Sequence, residues 1–265
     1  MLGDLNKPIY RYLAERKWKA ARRLVLMQRI TQMKVVPDVL PKIEPSVDVK
    51  LAFIPPSTLS KRNLEPSNTT KGIRSSDFHY IQPGDYVDSL MSENPCLLNL
   101  QSFQRGERLV SVAVIDSDVP NLDKDGYDYR CHFLASNIPI NPTQRIINLS
   151  QLAPATQLLL PWIPPHAQKG SPYHRLSVFI LQQKDNIPID LSVASKHVQP
   201  DGFILRSFVD RHLLKVIGVH LFRTKWDEGT AEVMRRAGLE GAQMELRRVK
   251  VEPLPYKRRN PSSFR

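Results

Sequence analysis

Asp116-Ser117-Asp118-Val119-Pro120, Cys131-His132-Phe133-Leu134 running on to Asn137-Ile138-Pro139, and Pro164-Pro165 followed by Gly170-Ser171-Pro172-Tyr173-His174-Arg175 are the stretches on which the fold turns. Each is joined to a short apolar run. Leu109–Ile115 (LVSVAVI) leads into the first, Tyr129–Asn137 (YRCHFLASN) holds the second, and His174–Gln182 (HRLSVFILQ) opens at the end of the third. Short runs rich in β-branched and aromatic residues, bounded by Asp, Asn, Pro and Gly, read as strands. The Asp and Pro of the first stretch predict a tight turn after its strand. On a strand, Cys131 and His132 would point to opposite faces.

Working outward, Val219–Lys225 reads as a further strand, and Val47–Ile54 has strand character. Helices are predicted at Leu205–Leu214 and at Asp227–Gly238, where the closing glycine is a stop signal. Upstream, the chain has no glycine and no proline between Ile9 and Met33 and is rich in Ala, Leu, Arg, Lys, Gln and Met. With Asn6-Lys7-Pro8 as its start, this predicts a helix from Pro8 to about Met33. Proline punctuates the next segment at residues 37, 41, 45, 55, 56 and 66, favouring extended backbone that runs along a surface rather than building a core. Residues 67–84 are polar and loop-like, and the body begins near Tyr86. The expected division is a basic N-terminal helix over 1–34, a Pro-rich extended arm over 35–84, a globular domain over 85–241 and a basic tail over 242–265, irregular from Leu254. No internal repeat is visible.

In this order the three stretches resemble the phosphatidylethanolamine-binding protein family. That family has an Asp-x-Asp-x-Pro turn, a His-aromatic strand ending near Asn-Ile-Pro, and a Pro-Pro…Gly-x-x-x-His-Arg strand. The similarity continues through Phe203–His212 and Val219–Asp227, with Trp226-Asp227 as the family's Trp-Asp pair, and covers roughly residues 85–235. It implies a mainly β, α+β fold: an antiparallel sheet sandwich with peripheral helices, here carrying a basic N-terminal helix and extended arms. It also implies an anion pocket lined by Asp116, Asp118, His132 and His174, with Pro120 and Pro164-Pro165 as rigid walls. Imidazole N–H groups would donate to a phosphate or carboxylate, and a nearby Asp would orient the ring.

Departures from the family pattern point to a vestigial pocket. Leu176 stands where the family commonly has a tyrosine after His-Arg. Cys131 replaces the first of a usual histidine pair, and the loop from Pro165 to His174 is lengthened and carries His166 and Lys169. On this view Asp116, Asp118, His132 and His174 persist as turn-forming and core hydrogen-bonding residues. Although His132 and Asp116 could mimic an acid–base pair, no serine or cysteine nucleophile is placed by any motif, so no catalytic residue is expected.

Charge supplies an independent reading. The chain carries 38 Lys and Arg against 26 Asp and Glu, a net +12. Residues 1–34 hold nine bases against two acids and residues 242–265 hold seven against two, so the long middle is balanced. Clustered Lys and Arg gain by releasing the counterions condensed on phosphates, which makes nucleic acid the expected partner. The phosphate-neutralising residues would be Arg11, Arg16, Lys17, Lys19, Arg22, Arg23 and Arg29 at one end and Arg247, Arg248, Lys257, Arg258 and Arg259 at the other. Tyr12 or Trp18 would stack on an unpaired base or serve in packing. Equally open at this level is a solvated helix whose Leu13, Trp18, Leu24 and Met27 rest on the body.

Other classes are disfavoured. Cys96 and Cys131 lack metal-ligand spacing, so neither a structural zinc nor any cofactor is expected, and two cysteines make a weak disulfide framework. No apolar stretch approaches the roughly 20 residues of a membrane span. The basic opening has the composition of a mitochondrial presequence, but Asp4, Glu15 and bases on several sides of the helix favour a mature binding helix. Poor amphipathicity also argues against an interfacial membrane helix.

One branch of the family combines these traits: the branch within the mitochondrial large ribosomal subunit, whose fungal form this chain resembles in its basic helix, its Val-Pro-Asp arm at Val36–Asp38 and its body. That resemblance implies a structural role near the central protuberance, in the mitochondrial matrix. Basic extensions would hold ribosomal RNA and the body would meet neighbouring ribosomal proteins, in support of mitochondrial translation. The contrasting expectation is a soluble protein of the family that binds anions or phospholipid headgroups or regulates a kinase.

Overall fold

The computed structural model describes residues 5–55, 78–143 and 146–246. Among these residues, nine strands form two antiparallel sheets. The larger has the order β7-β5-β4-β8-β9, built from β4 (Arg108–Asn121), β5 (Gly126–Ile140), β7 (Leu158–Leu160), β8 (His174–Gln182) and β9 (Lys215–Thr224). The smaller has the order β2-β1-β3-β6, built from β1 (Val47–Phe53), β2 (His79–Ile81), β3 (Leu97–Ser102) and β6 (Ile146–Asn148).

The continuous apolar runs of β4 and β8 follow from burial on both faces. Val110, Val112 and Val114, with Val178 and Ile180, pack on the smaller sheet in one core. Ala113, Ile115, Phe179 and Leu181 point the other way into a second core, covered by Leu26 and Ile30 of the N-terminal region and by Leu205 and Phe208 of the helix Leu205–Arg211. A strand with one wet face would alternate polar and apolar residues; these have none to spare.

Three local expectations change. Asp116–Pro120 is not a turn. β4 runs through it to Asn121 with a register shift between Asp116 and Val119, and the reversal comes at Leu122–Asp125. Asp116 Oδ1 accepts the Asp118 N–H at 2.9 Å, a local bond that supports the irregularity without ending the strand. Next, the proline-punctuated stretch does not simply cross a surface. Its prolines flank β1, whose Val47, Val49, Leu51 and Phe53 are buried in the core between the sheets. Finally, the N-terminal helix is broken into α1 (Pro8–Ala20) and α2 (Arg22–Gln32) at Ala21, whose φ of −129° and ψ of −78° are not helical. No proline or glycine causes the break. α1 buries Trp18 against Phe103 just past β3, with ring centroids 5.3 Å apart, whereas α2 buries Leu26 and Ile30 on the outer face of the larger sheet. One straight axis cannot serve two differently directed surfaces.

Candidate functional sites: a sealed histidine cluster and a docked basic helix

Asp116 is the hub of the cluster. β4 sets it opposite Arg130 of β5 and Leu176 of β8. Its Oδ2 accepts the Nδ1–H of His174 at 2.7 Å, and His132 Nε2 lies 3.7 Å away. His132 reaches this position through a bulge: Val114 pairs with Phe133 but Ile115 pairs with Cys131, which leaves His132 as the extra residue. Such a bulge re-aims a side chain. Cys131 consequently faces the second core and Phe133 the first.

Every ring is tied down. His132 Nδ1–H donates to the Ile163 carbonyl at 2.9 Å, and Ile163 N–H returns a bond to the His132 carbonyl at 2.8 Å. His166, from the lengthened loop, donates through Nδ1 to the Pro164 carbonyl and accepts at Nε2 from Arg130 Nη1, each at 2.9 Å. Its ring stands edge-on to His132 with centroids 5.8 Å apart. Burial, the His132 ring and Arg130 push the His166 pKa down to about 4. Burial alone would raise Asp116, but His174 and His132 outweigh it and hold the carboxyl well below the usual carboxylate range.

The chemical consequence is a cluster whose three Nδ1–H donors are spent inside the fold. Asp116, His132 and His174 are 1, 0 and 3% exposed. All three Nδ1–H donors are committed, which leaves His132 Nε2, 3.7 Å from the Asp116 carboxylate, without a hydrogen-bond partner among the described residues. Leu176, where the family commonly has tyrosine, is buried in the core between the sheets. Ser171 Oγ does stand 3.4 Å from His174 Nε2, giving an Asp–His–Ser line that the sequence reading did not anticipate. That separation is longer than the roughly 2.6–3.2 Å of a nucleophile held on its base. The hydroxyl also bonds the Gln168 carbonyl at 2.7 Å.

The other expected pocket residues are elsewhere. Asp118 accepts from the Arg175 backbone N–H at 2.8 Å and from Arg175 Nε and Nη2 at 2.8 and 2.6 Å. Pro120 sits opposite Tyr127, four residues beyond Asp116 and so about 13 Å along the strand. The lengthened loop is itself covered. Leu246 N–H donates to the Lys169 carbonyl at 2.7 Å, and a Cβ at Gly170 (φ +87°) would lie 1.9 Å from the Leu246 carbonyl oxygen.

At the N-terminus the expected RNA-binding bases divide into two groups. Arg11 Nη1 donates to the Leu5 and Asn6 carbonyls, and Lys19 pairs with Glu15. Arg22 pairs with the buried Asp48, and Arg23 Nε donates to the Pro45 carbonyl at 3.2 Å. Burial raises the Asp48 pKa, and Arg22 opposes that rise. Arg16, Lys17 and Arg29 are exposed and have no partner among the described residues. Of the packing alternatives, Trp18 is buried and Met27 packs on the second core, while Tyr12, Leu13 and Leu24 remain exposed. Arg247, Arg248, Lys257, Arg258 and Arg259 lie outside the described residues.

The sequence profile of the phosphatidylethanolamine-binding protein family matches residues 59–221. The chain belongs to this family. Its sheet sandwich agrees with the crystal structure of carboxypeptidase Y inhibitor complexed with the cognate proteinase, at a TM-score of 0.54 over 77% of this chain and 96% of that one. At 12% identity that likeness concerns the fold alone. A phosphatidylethanolamine-binding protein from Plasmodium vivax gives a TM-score of 0.48 at 14% identity, over 76% of this chain and 97% of that one. A relative in Schizosaccharomyces pombe, Large ribosomal subunit protein mL38, is 27% identical over 254 residues, which span 95% of this chain and 72% of the relative. That match reaches well outside the family profile and takes in most of both basic ends.

Proposed function

We propose that this member of the phosphatidylethanolamine-binding protein family is a structural component of the mitochondrial large ribosomal subunit. The observation that carries the reading is the likeness to mL38 over 95% of the chain, including extensions that lie outside the family profile. The protein works in the mitochondrial matrix, in support of translation. Its role is architectural rather than catalytic: the histidine cluster, with its donors consumed internally, braces the body.

Within the subunit the exposed bases of the extensions neutralise ribosomal RNA phosphates and the body meets neighbouring proteins, near the central protuberance. Arg16, Lys17 and Arg29 make the RNA contacts at the N-terminal end, whereas Arg22 and Arg23 hold the helices on the body. The basic residues 247–265 extend the same chemistry. These contacts position the protein and carry little sequence readout.

The test is sedimentation of the tagged native protein through a density gradient in magnesium, with and without ribonuclease. Migration with the large mitochondrial subunit, lost on RNA digestion, is expected. A slow-sedimenting species indifferent to ribonuclease would overturn the proposal.

A further inference from the structure

Tyr86, Tyr173, Arg223, Lys225, Trp226 and Lys169 meet where β8 begins and β9 ends, although they come from distant parts of the sequence. The Tyr86 and Tyr173 rings are 46 and 40% exposed and stand edge-to-face, with centroids 6.0 Å apart and planes at 87°. The Arg223 guanidinium lies 3.9 Å from the Tyr86 centroid and 5.1 Å from that of Tyr173. Its Nε–H donates to the Gly84 carbonyl at 2.7 Å, which fixes the plane. Lys225 Nζ is 5.4 Å from the Tyr86 ring, and Lys169 Nζ is 5.4 Å from the half-buried Trp226 ring.

Arg223 and Lys225 form no ion pair with a carboxylate among the described residues. Asp85 accepts the Gln82 N–H, and Asp227 accepts from Ser89 and Thr230. Lys169 pairs with Glu245 at 3.6 Å. Leu246, the last described residue, is hydrogen-bonded to Lys169, and residues 247–265 of the sequence carry seven bases and one acid. The end of the N-terminal helices arrives here as well: Met33 packs on Gly84, and the Met33 carbonyl accepts from Arg175 Nη1 at 2.7 Å.

We infer that this aromatic and basic patch is a stacking platform for unpaired nucleotides of an RNA, placed beside the end of the N-terminal helices and beside Leu246, the last described residue. The inference rests on the ribosomal reading and extends RNA contact from the extensions to the body. Exposed rings stack on bases of any identity, and flanking cations hold the backbone. Rings at right angles cannot both accept members of one continuous stack, so the geometry suits bases splayed from a loop or bulge rather than a duplex. A protein-binding hot spot would also use tyrosine, tryptophan and arginine, but protein interfaces are depleted in lysine, and two lysines flank these rings.

The experiment uses the full-length protein with a labelled 12-nucleotide single-stranded RNA and a duplex RNA of the same length, read by fluorescence anisotropy over a salt series. Tyr86→Leu, Tyr173→Leu and Trp226→Leu keep the charge, and thermal melting reports whether each is folded. Each is expected to weaken single-strand binding about fivefold or more, with the duplex affinity and the salt slope unchanged, while Tyr173→Phe binds as the parent does. Unchanged single-strand affinity in all three variants would overturn the inference, as would equal loss on the duplex. If these variants bind the oligonucleotide normally yet fall off the subunit in gradients, the patch is a protein contact and the inference fails while the ribosomal reading stands. A parent protein that ignores the single strand also overturns the platform, and gradient sedimentation then judges the ribosomal reading separately.

Discussion

Arg175 grips Asp118 through three nitrogens while its Nη1 donates to the Met33 carbonyl at 2.7 Å. The same Nη1 reaches Asp38 Oδ2 at 2.9 Å. The family's His-Arg strand is thereby joined to the N-terminal extension, and Asp118 serves that joint rather than the histidine cluster. Its neighbour His174 points to Asp116 instead. Two adjacent residues of one motif thus perform two separate structural tasks.

Replacing Arg175 by methionine would leave the mostly buried Asp118 carboxylate without its cation. A loss of about 2–4 kcal/mol is expected, read as a shift in the urea midpoint. Lysine should not restore it, because one ammonium cannot reproduce a planar fork. Limited proteolysis should cut faster between α1 and β1 in both variants. An unchanged midpoint would mean the extension is held without this joint.

The sealed cluster makes its own prediction. At pH 7.5, titration calorimetry of the full-length protein with millimolar O-phosphoethanolamine should give no binding heat, since the Nδ1–H donors of His132, His166 and His174 are already used. His132→Ala should leave subunit incorporation intact. Saturable binding lost in His132→Ala would show that the pocket opens.

Much of this was legible before the structure. β8 has its expected bounds because a run buried on both faces leaves a continuous apolar signature, and β4 and β5 were found at their centres for the same reason. β1 was harder. Its sequence is ordinary for a strand, but prolines on either side argue for an exposed arm, and only pairing with β3 from Val47 to Ala52 shows that they stop just short of the ladder. The bulge at His132 leaves no mark of its own, since its signal is a register between strands. Likewise, composition identifies the basic helix but does not separate Arg22, spent on buried Asp48, from Arg16, which faces solvent. The platform is the extreme case: Tyr86, Tyr173 and Arg223 are unremarkable singly and become a surface only when β8 and β9 align.

Acid should destabilise the fold through buried neutral imidazoles. His166 and His220 both titrate at about 4, against an ordinary value near 6.5, chiefly because burial disfavours their charged forms. His166 faces His132, Arg130 and Asp116; His220 has Asp85 in its surroundings. Since the unfolded chain binds these protons at higher pH, the stability they hold is complete above 6.5 and drains away as pH falls toward 4. The loss is on the order of 3 kcal/mol per histidine across that window. Urea midpoints measured from pH 7.5 to 4.5 should fall accordingly, and the double variant His166→Gln, His220→Gln should flatten the slope. A slope unaffected by both changes would place the acid sensitivity elsewhere.

The division among the N-terminal bases gives the most direct test of how the extension works. Arg16→Gln, Lys17→Gln and Arg29→Gln together remove three exposed cations without removing a protein contact among the described residues. RNA affinity should drop, and the slope of log affinity against log salt should lessen by about 2–3, the counterions no longer released. The melting temperature should stay within a degree or two of the parent, as is usual for surface changes of this kind. Arg22→Gln should do the reverse. It leaves the Asp48 carboxylate buried beneath α2 without its charge partner, so stability falls while the salt slope barely moves. If Arg22→Gln instead altered the salt slope as strongly as the triple variant, the helix would have to release Asp48 on meeting RNA, and its docked position would belong to the free protein only.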